Sequence, residues 1–130
     1  MINFASTPTL ADFCEKIASY GPKTALVWRP RFRKIVWSYQ DLYKNSIQIS
    51  HILAASQVVK GDKILLWAPN SPYWVAAFFA IVLRGAVVVP INIENKPDFI
   101  NKIIRETAAK ILIKSKFLQK LKIKTLILES

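Results

Sequence analysis

Apolar positions recur along this chain with two different periods, and the switches between them lay out its elements. Leu10, Phe13, Cys14 and Ile17 fall at i, i+3, i+4 and i+7, the stripe of a short amphipathic helix that Gly21-Pro22 ends. The runs 24–29 and 33–37 are rich in β-branched and aromatic residues and join around Pro30-Arg31, which predicts an antiparallel hairpin. Ser38 reads as a helix N-cap, with Asp41 at the position from which an acidic side chain folds back on the cap. The helix it opens extends to about residue 56. Its inner stripe is Leu42, Ser46, Ile49, Ser50 and Leu53, and the two serines are small enough for close approach to a sheet.

The pattern then alternates. Gly61-Asp62 turns the chain into a strand over 64–68, and Pro69-Asn70 breaks it. Ser71 caps the next helix and Pro72 takes its first position, where a missing N–H costs nothing. That helix, 72–84, is apolar nearly all round, so protein should cover both of its sides; Gly85 is its left-handed stop. The short run 86–89 has the look of a strand buried on both faces. A loop over 90–96 leads to a helix from Pro97 to near Ala109, followed by strands at 111–113 and 125–128. Strands alternating with helices predict an α/β fold: a mostly parallel, helix-covered sheet with an antiparallel hairpin near the N-terminus. No internal repeat or linker composition divides the chain, so 1–130 is read as one segment.

Composition sharpens this picture in three places. At 52% hydrophobic residues the 130-residue chain has the makings of a core and is not a disordered segment. The start, MINFASTPTLADF, has neither the basic nor the apolar stretch of a leader, and the longest apolar run, 72–83, is well short of the roughly 18 residues a membrane span requires. The single cysteine, Cys14, allows no internal disulfide, and a cytoplasmic setting fits best.

The net charge of +11 favours anionic partners. Arg29, Arg31, Arg33 and Lys34 crowd the hairpin turn; Lys96, Lys102, Arg105, Lys110, Lys114, Lys116, Lys120, Lys122 and Lys124 spread through the last third. Solvated faces are the preferred reading of both groups. The alternative is a free-standing basic adaptor, peripheral to an acidic membrane surface, with nucleic acid ranked below the membrane. Trp28, Phe32 and Trp37 give the hairpin some of the interleaved aromatics such a surface needs, whereas the tail has only Phe99 and Phe117.

In parallel sheets ligands collect beyond the carboxyl ends of the strands, here 68–71, 90–92 and 114–115. The turn at Asn70-Ser71 opens a helix and so has the geometry to hold an anion, but capping is the simpler reading. The three glycines, Gly21, Gly61 and Gly85, are far apart and form no phosphate-cradling loop; no HExxH, CxxC or Asp-rich metal loop appears. His51, the only histidine, falls off the inner stripe of its helix and reads as surface. Cys14 fits an inner face, where a thiol packs as an inert small hydrophobe. No catalytic, cofactor-binding or metal-binding residue is assigned.

The stretch "TALVWRPRFRKIVWSYQDL", a helix, then "VVKGDKILLWAPNSPYWVAAFFAIVLRGAVVVPIN", resembles the amino-terminal part of the AMP-forming acyl-activating enzymes: the acyl-CoA synthetases, fatty-acyl-AMP ligases and relatives. The matching scaffold positions are Tyr39 and Leu42, the turn Gly61-Asp62, the run Pro69-Asn70-Ser71, then Gly85, Pro90 and Asn92. Order and spacing over about 23–113 carry the resemblance. The stretch 95–113 is similar to a long-chain acyl subgroup, in which an aromatic follows Pro-Asp. One departure is local: Gln57 stands where the family has a helix-ending glycine.

The resemblance implies a lobe of a larger adenylate-forming fold and a parent reaction. In that reaction a carboxylate attacks the α-phosphate of Mg·ATP to give acyl-AMP, and a thiol such as coenzyme A takes the acyl group. The family's phosphate loop, adenine-binding segment, ribose-binding aspartate and catalytic lysine match no position here. The resemblance therefore implies a scaffold inactive by itself. ATP, magnesium and coenzyme A belong to the full-length family member, the rest of the ligase is the expected partner, and self-association is expected through apolar surface left uncovered.

Overall fold

A computed structural model describes residues 9–118 and 121–128. Thr9 caps helix α1 (Leu10–Lys16), which tightens into a 3-10 turn over Ile17–Tyr20. Cys14 and Ile17 are buried, whereas Leu10 and Phe13 of the same predicted stripe are half exposed. The helix is only seven residues long, and among the described residues its outer edge finds a single aromatic neighbour: the Phe13 ring meets Phe79 edge-on at 6.4 Å.

The hairpin forms as expected. β1 (Thr24–Trp28) and β2 (Ile35–Ser38) pair antiparallel as a separate two-stranded sheet. Ser38 then caps α2 (Tyr39–Ala55) with a full reciprocal box: its Oγ accepts the Asp41 N–H at 3.0 Å, and the Asp41 carboxylate accepts the Ser38 N–H at 2.9 Å. On the inner stripe Leu42, Ser46 and Leu53 are buried, and Ser46 satisfies its hydroxyl by donating to the Leu42 carbonyl at 2.7 Å.

The main sheet contains β3 (Lys63–Trp67), β4 (Val87–Pro90), β5 (Ile111–Lys114) and β6 (Thr125–Ile127), all parallel, in the order β4-β3-β5-β6. Alternation along β3 sends Ile64 and Leu66 to one face and Leu65 and Trp67 to the other. The first face packs on α2 and on α3 (Pro72–Leu83) through Leu53, Ala77, Ala80 and Ile81. The second packs on α4 (Pro97–Thr107) through Ile100, Ile103 and Ile104.

α3 is covered on both sides, as its all-round apolar sequence requires. Ala77, Ala80 and Ile81 meet the sheet, while Ala76, Tyr73 and Phe79 meet the hairpin and α2. No residue of α3 is exposed. No helix among the described residues is long and apolar enough to cross a membrane.

The expectation for 86–89 fails. β4 is an edge strand, with Val87 45% exposed and Pro90 exposed at its end. The strands buried on both faces are the two interior ones: β3, buried over Ile64, Leu65, Leu66 and Trp67, and β5, all four of whose residues are buried. A β-branched run reports fitness for a pleated surface and says nothing of what lies beside it. Pro90 suits the edge, where its missing N–H breaks no ladder.

Candidate functional site

The ten scaffold positions separate into three places. Tyr39 and Leu42 lie where α2 meets the hairpin, Leu42 buried and Tyr39 packed with it around Trp37 and Ala76. Gly61, Asp62 and Gly85 gather at the amino ends of β3 and β4. There the Gly61 N–H donates to the Gly85 carbonyl at 2.9 Å, and the Val87 N–H donates to Asp62 O at 2.7 Å. This pole is a fastening.

Pro69, Asn70, Ser71, Pro90 and Asn92 gather at the opposite, carboxyl end. β3 and β4 run in register to Leu66 and Pro90, and the Ile91 N–H makes a last link to the Leu66 carbonyl at 2.9 Å. Beyond it the two chains part, one into α3 and the other into the loop before α4. The gap is a cavity of about 370 Å³ lined by Ala68, Pro69, Asn70, Trp74, Pro90, Ile91, Asn92 and Ile93. Asn92 spends its side chain on the loop, its Oδ1 accepting the Glu94 N–H at 2.9 Å. Asn70 is exposed and also lines a second groove, shared with Leu26, Val27 and Trp28 of the hairpin.

Ser71 is a cap. Its Oγ accepts the Trp74 N–H at 3.3 Å, and Pro72 has no N–H to offer, so this helix end is poorly furnished with donors for an anion. None of the eight residues lining the cavity is charged. A triphosphate needs cations or a cradle of N–H groups, and its magnesium ion needs carboxylates. Among the described residues no three His, Cys, Asp or Glu side chains come together in a metal-holding group. The residues lining this cavity do not fit ATP with its magnesium, nor, for the same lack of charge, the phosphates of coenzyme A.

Two features of this end escape a reading of the sequence. Lys114, grouped above with solvated lysines, is 3% exposed; its Nζ donates to the carbonyls of Ser115 at 2.8 Å and Leu118 at 2.6 Å. Its place at the end of the apolar run ILIK was the available signal. Trp67, its register partner on β3, has a buried indole N–H without a hydrogen-bond partner among the described residues. His51 is exposed and Cys14 wholly buried, both as expected; burial pushes the Cys14 thiol up to about 11.

The sequence of residues 13–129 matches the family model described as AMP-binding enzyme. The chain belongs to this family. An uncharacterised acyl-CoA ligase of Bacillus subtilis is 35% identical over 82 residues, covering 62% of this chain and 16% of that protein. A crotonobetaine/carnitine-CoA ligase of Citrobacter koseri is 31% identical over 98 residues, covering 75% of this chain and 17% of that protein. Among solved structures, the fatty acid AMP ligase of Legionella pneumophila superposes with a TM-score of 0.81 at 20% identity, over 96% of this chain and 24% of that one. The chain thus spans under a fifth of each of these two curated relatives, and it has the fold of the amino-terminal portion of an AMP-binding enzyme.

Proposed function

We propose that this AMP-binding family chain is the scaffold part of an acid–thiol ligase that activates a fatty acid, and that it is inactive by itself. The observation that carries the reading is the uncharged cavity at the carboxyl ends of β3 and β4. It has the position of a ligand site in an open parallel sheet, and its apolar lining of Pro69, Trp74, Pro90, Ile91 and Ile93 suits one wall of an acyl pocket. The charge-stabilising groups that acyl transfer demands must then come from the rest of the ligase, the chain's partner in this reading. The relatives' names support a carboxylic acid as substrate, and the name of the Legionella protein supports a fatty acid.

Two experiments test this. The isolated chain, mixed with a fatty acid, magnesium, ATP and coenzyme A, should release no pyrophosphate; turnover overturns the claim of inactivity. Replacing the matching residues of the Legionella pneumophila fatty acid AMP ligase with this chain should leave a folded chimera that still activates fatty acids. A folded chimera without activity sinks the scaffold reading.

A further inference from the structure

The turn between β1 and β2 is built against its own stability. The Arg33 N–H donates to the Pro30 carbonyl at 3.0 Å, and Arg31, inside that turn, is left-handed at φ 54°. Glycine or asparagine would adopt that conformation at less cost. Next to it Phe32 projects from the surface, fully exposed. Arg29, Arg31, Arg33 and Lys34 around it are all exposed, and neither ion pair among the described residues involves them. Behind the tip, Val27 and Val36 face each other across the hairpin, 52% and 46% exposed. Four cations, no acid, a protruding phenyl ring and an apolar valine pair therefore share one end of the hairpin.

We infer that this hairpin tip is a docking site for an anionic lipid bilayer. The cations meet the headgroups, and Phe32, with the valine pair behind it, enters the acyl boundary. Nucleic acid fits less well. Base stacking wants a platform of aromatic faces, but Trp28 and Trp37 are committed edge-on to Tyr73 of α3 at 6.2 and 5.2 Å. Phe32 remains as a single ring. Those Tyr73 contacts also fasten the hairpin to the body beside the groove that Trp28 shares with Asn70, so docking holds the carboxyl-end cavity close to the lipid surface.

Co-sedimentation of the whole chain with vesicles tests this. Phosphatidylcholine vesicles containing about one third phosphatidylserine should bind the chain, more weakly as salt rises, and pure phosphatidylcholine should bind little. The triple variant Arg29→Gln, Arg31→Gln, Arg33→Gln should weaken partitioning about a hundredfold. Phe32→Ala, at a fully exposed side chain, should weaken it at least about threefold without changing the melting curve. Lys122→Gln with Lys124→Gln should cost far less than the tip triple. Absence of vesicle binding, binding to neutral vesicles as strong as to anionic ones, equal losses from tip and distant variants, or binding to a single-stranded oligonucleotide without binding to vesicles each overturns the inference.

Discussion

Lys110 Nζ lies 3.2 Å from the Asp62 carboxylate, pinning the start of β5 to the turn that launches β3. The same carboxylate accepts the Val59 N–H at 2.8 Å, and Lys110 also donates to the Gln57 carbonyl. One lysine thereby joins three segments at the amino pole of the sheet. This pole lies at the opposite end of the sheet from the carboxyl-end cavity, so its chemistry bears on stability.

That arrangement makes stability depend on acid. Asp62 is held below the ordinary carboxylate value of 3.8, first by the Val59 N–H and then by Lys110; Asp41 is held below it by the N–H and hydroxyl of Ser38. Carboxylates depressed in the folded state contribute fully above the unfolded value and lose that contribution as pH falls through the folded one. The urea midpoint should be flat near neutrality and drop once the pH passes below 3.8. Asp62→Asn should have a lower midpoint at neutral pH and a shallower acid drop; an unchanged acid drop would remove Asp62 from the account.

The left-handed caps of α2 and α3 make a matched pair. After α2, the Gln57 N–H donates to Ala54 O at 2.9 Å and the Val58 N–H to Leu53 O at 3.0 Å; after α3, Gly85 and Ala86 donate to Val82 and Ile81 at 2.9 and 3.1 Å. Both are Schellman closures, and the cap residues sit at φ 65° and 73°. Glutamine bears a Cβ penalty there that glycine avoids. Gln57→Gly should stabilise the chain by about 1 kcal/mol, and Gly85→Ala should destabilise it by about 1–2 kcal/mol, read from urea midpoints at unchanged slope. The same sign for both changes would refute this pairing.

This cap shows how far the sequence could be read. Glutamine in place of the expected glycine at position 57 put the cap geometry there in question, yet the left-handed closure is kept at φ 65°, because the geometry is set by the helix end and the residue adapts to it. Both capping serines and the hairpin were legible, since each is a local matter of a few residues. What could not be read depended on neighbours. Val87 and Val88 look the same whether β4 is central or at the edge. Lys114 is buried because the turn after β5 brings the carbonyls of Ser115 and Leu118 to it. The cavity's position followed from strand polarity, but its lack of charge needed the lining residues to be seen together.

Ser71 allows a separation of capping from ligand binding. Ser71→Ala should cost about 1 kcal/mol through loss of the acceptor for the Trp74 N–H, and Ser71→Asp, which keeps an acceptor, should restore most of it. If aspartate fails to rescue, the residue does something other than cap.

Cys14 gives the last prediction, and it reports on the packing of α1. The thiol is wholly buried between α1 and its neighbours, and desolvation raises it from 9.0 to about 11. A thiol raised in this way has about a hundredfold less thiolate at any pH well below both values, before any steric protection is counted. A disulfide reagent at neutral pH should therefore modify the folded chain far more slowly than the urea-unfolded chain. The contribution of the neutral thiol to stability is complete below 9.0 and declines as the pH climbs through about 11. Rapid labelling under native conditions would mean that α1 opens away from α3, and with it that the covering of α3 on its outer side is only transient.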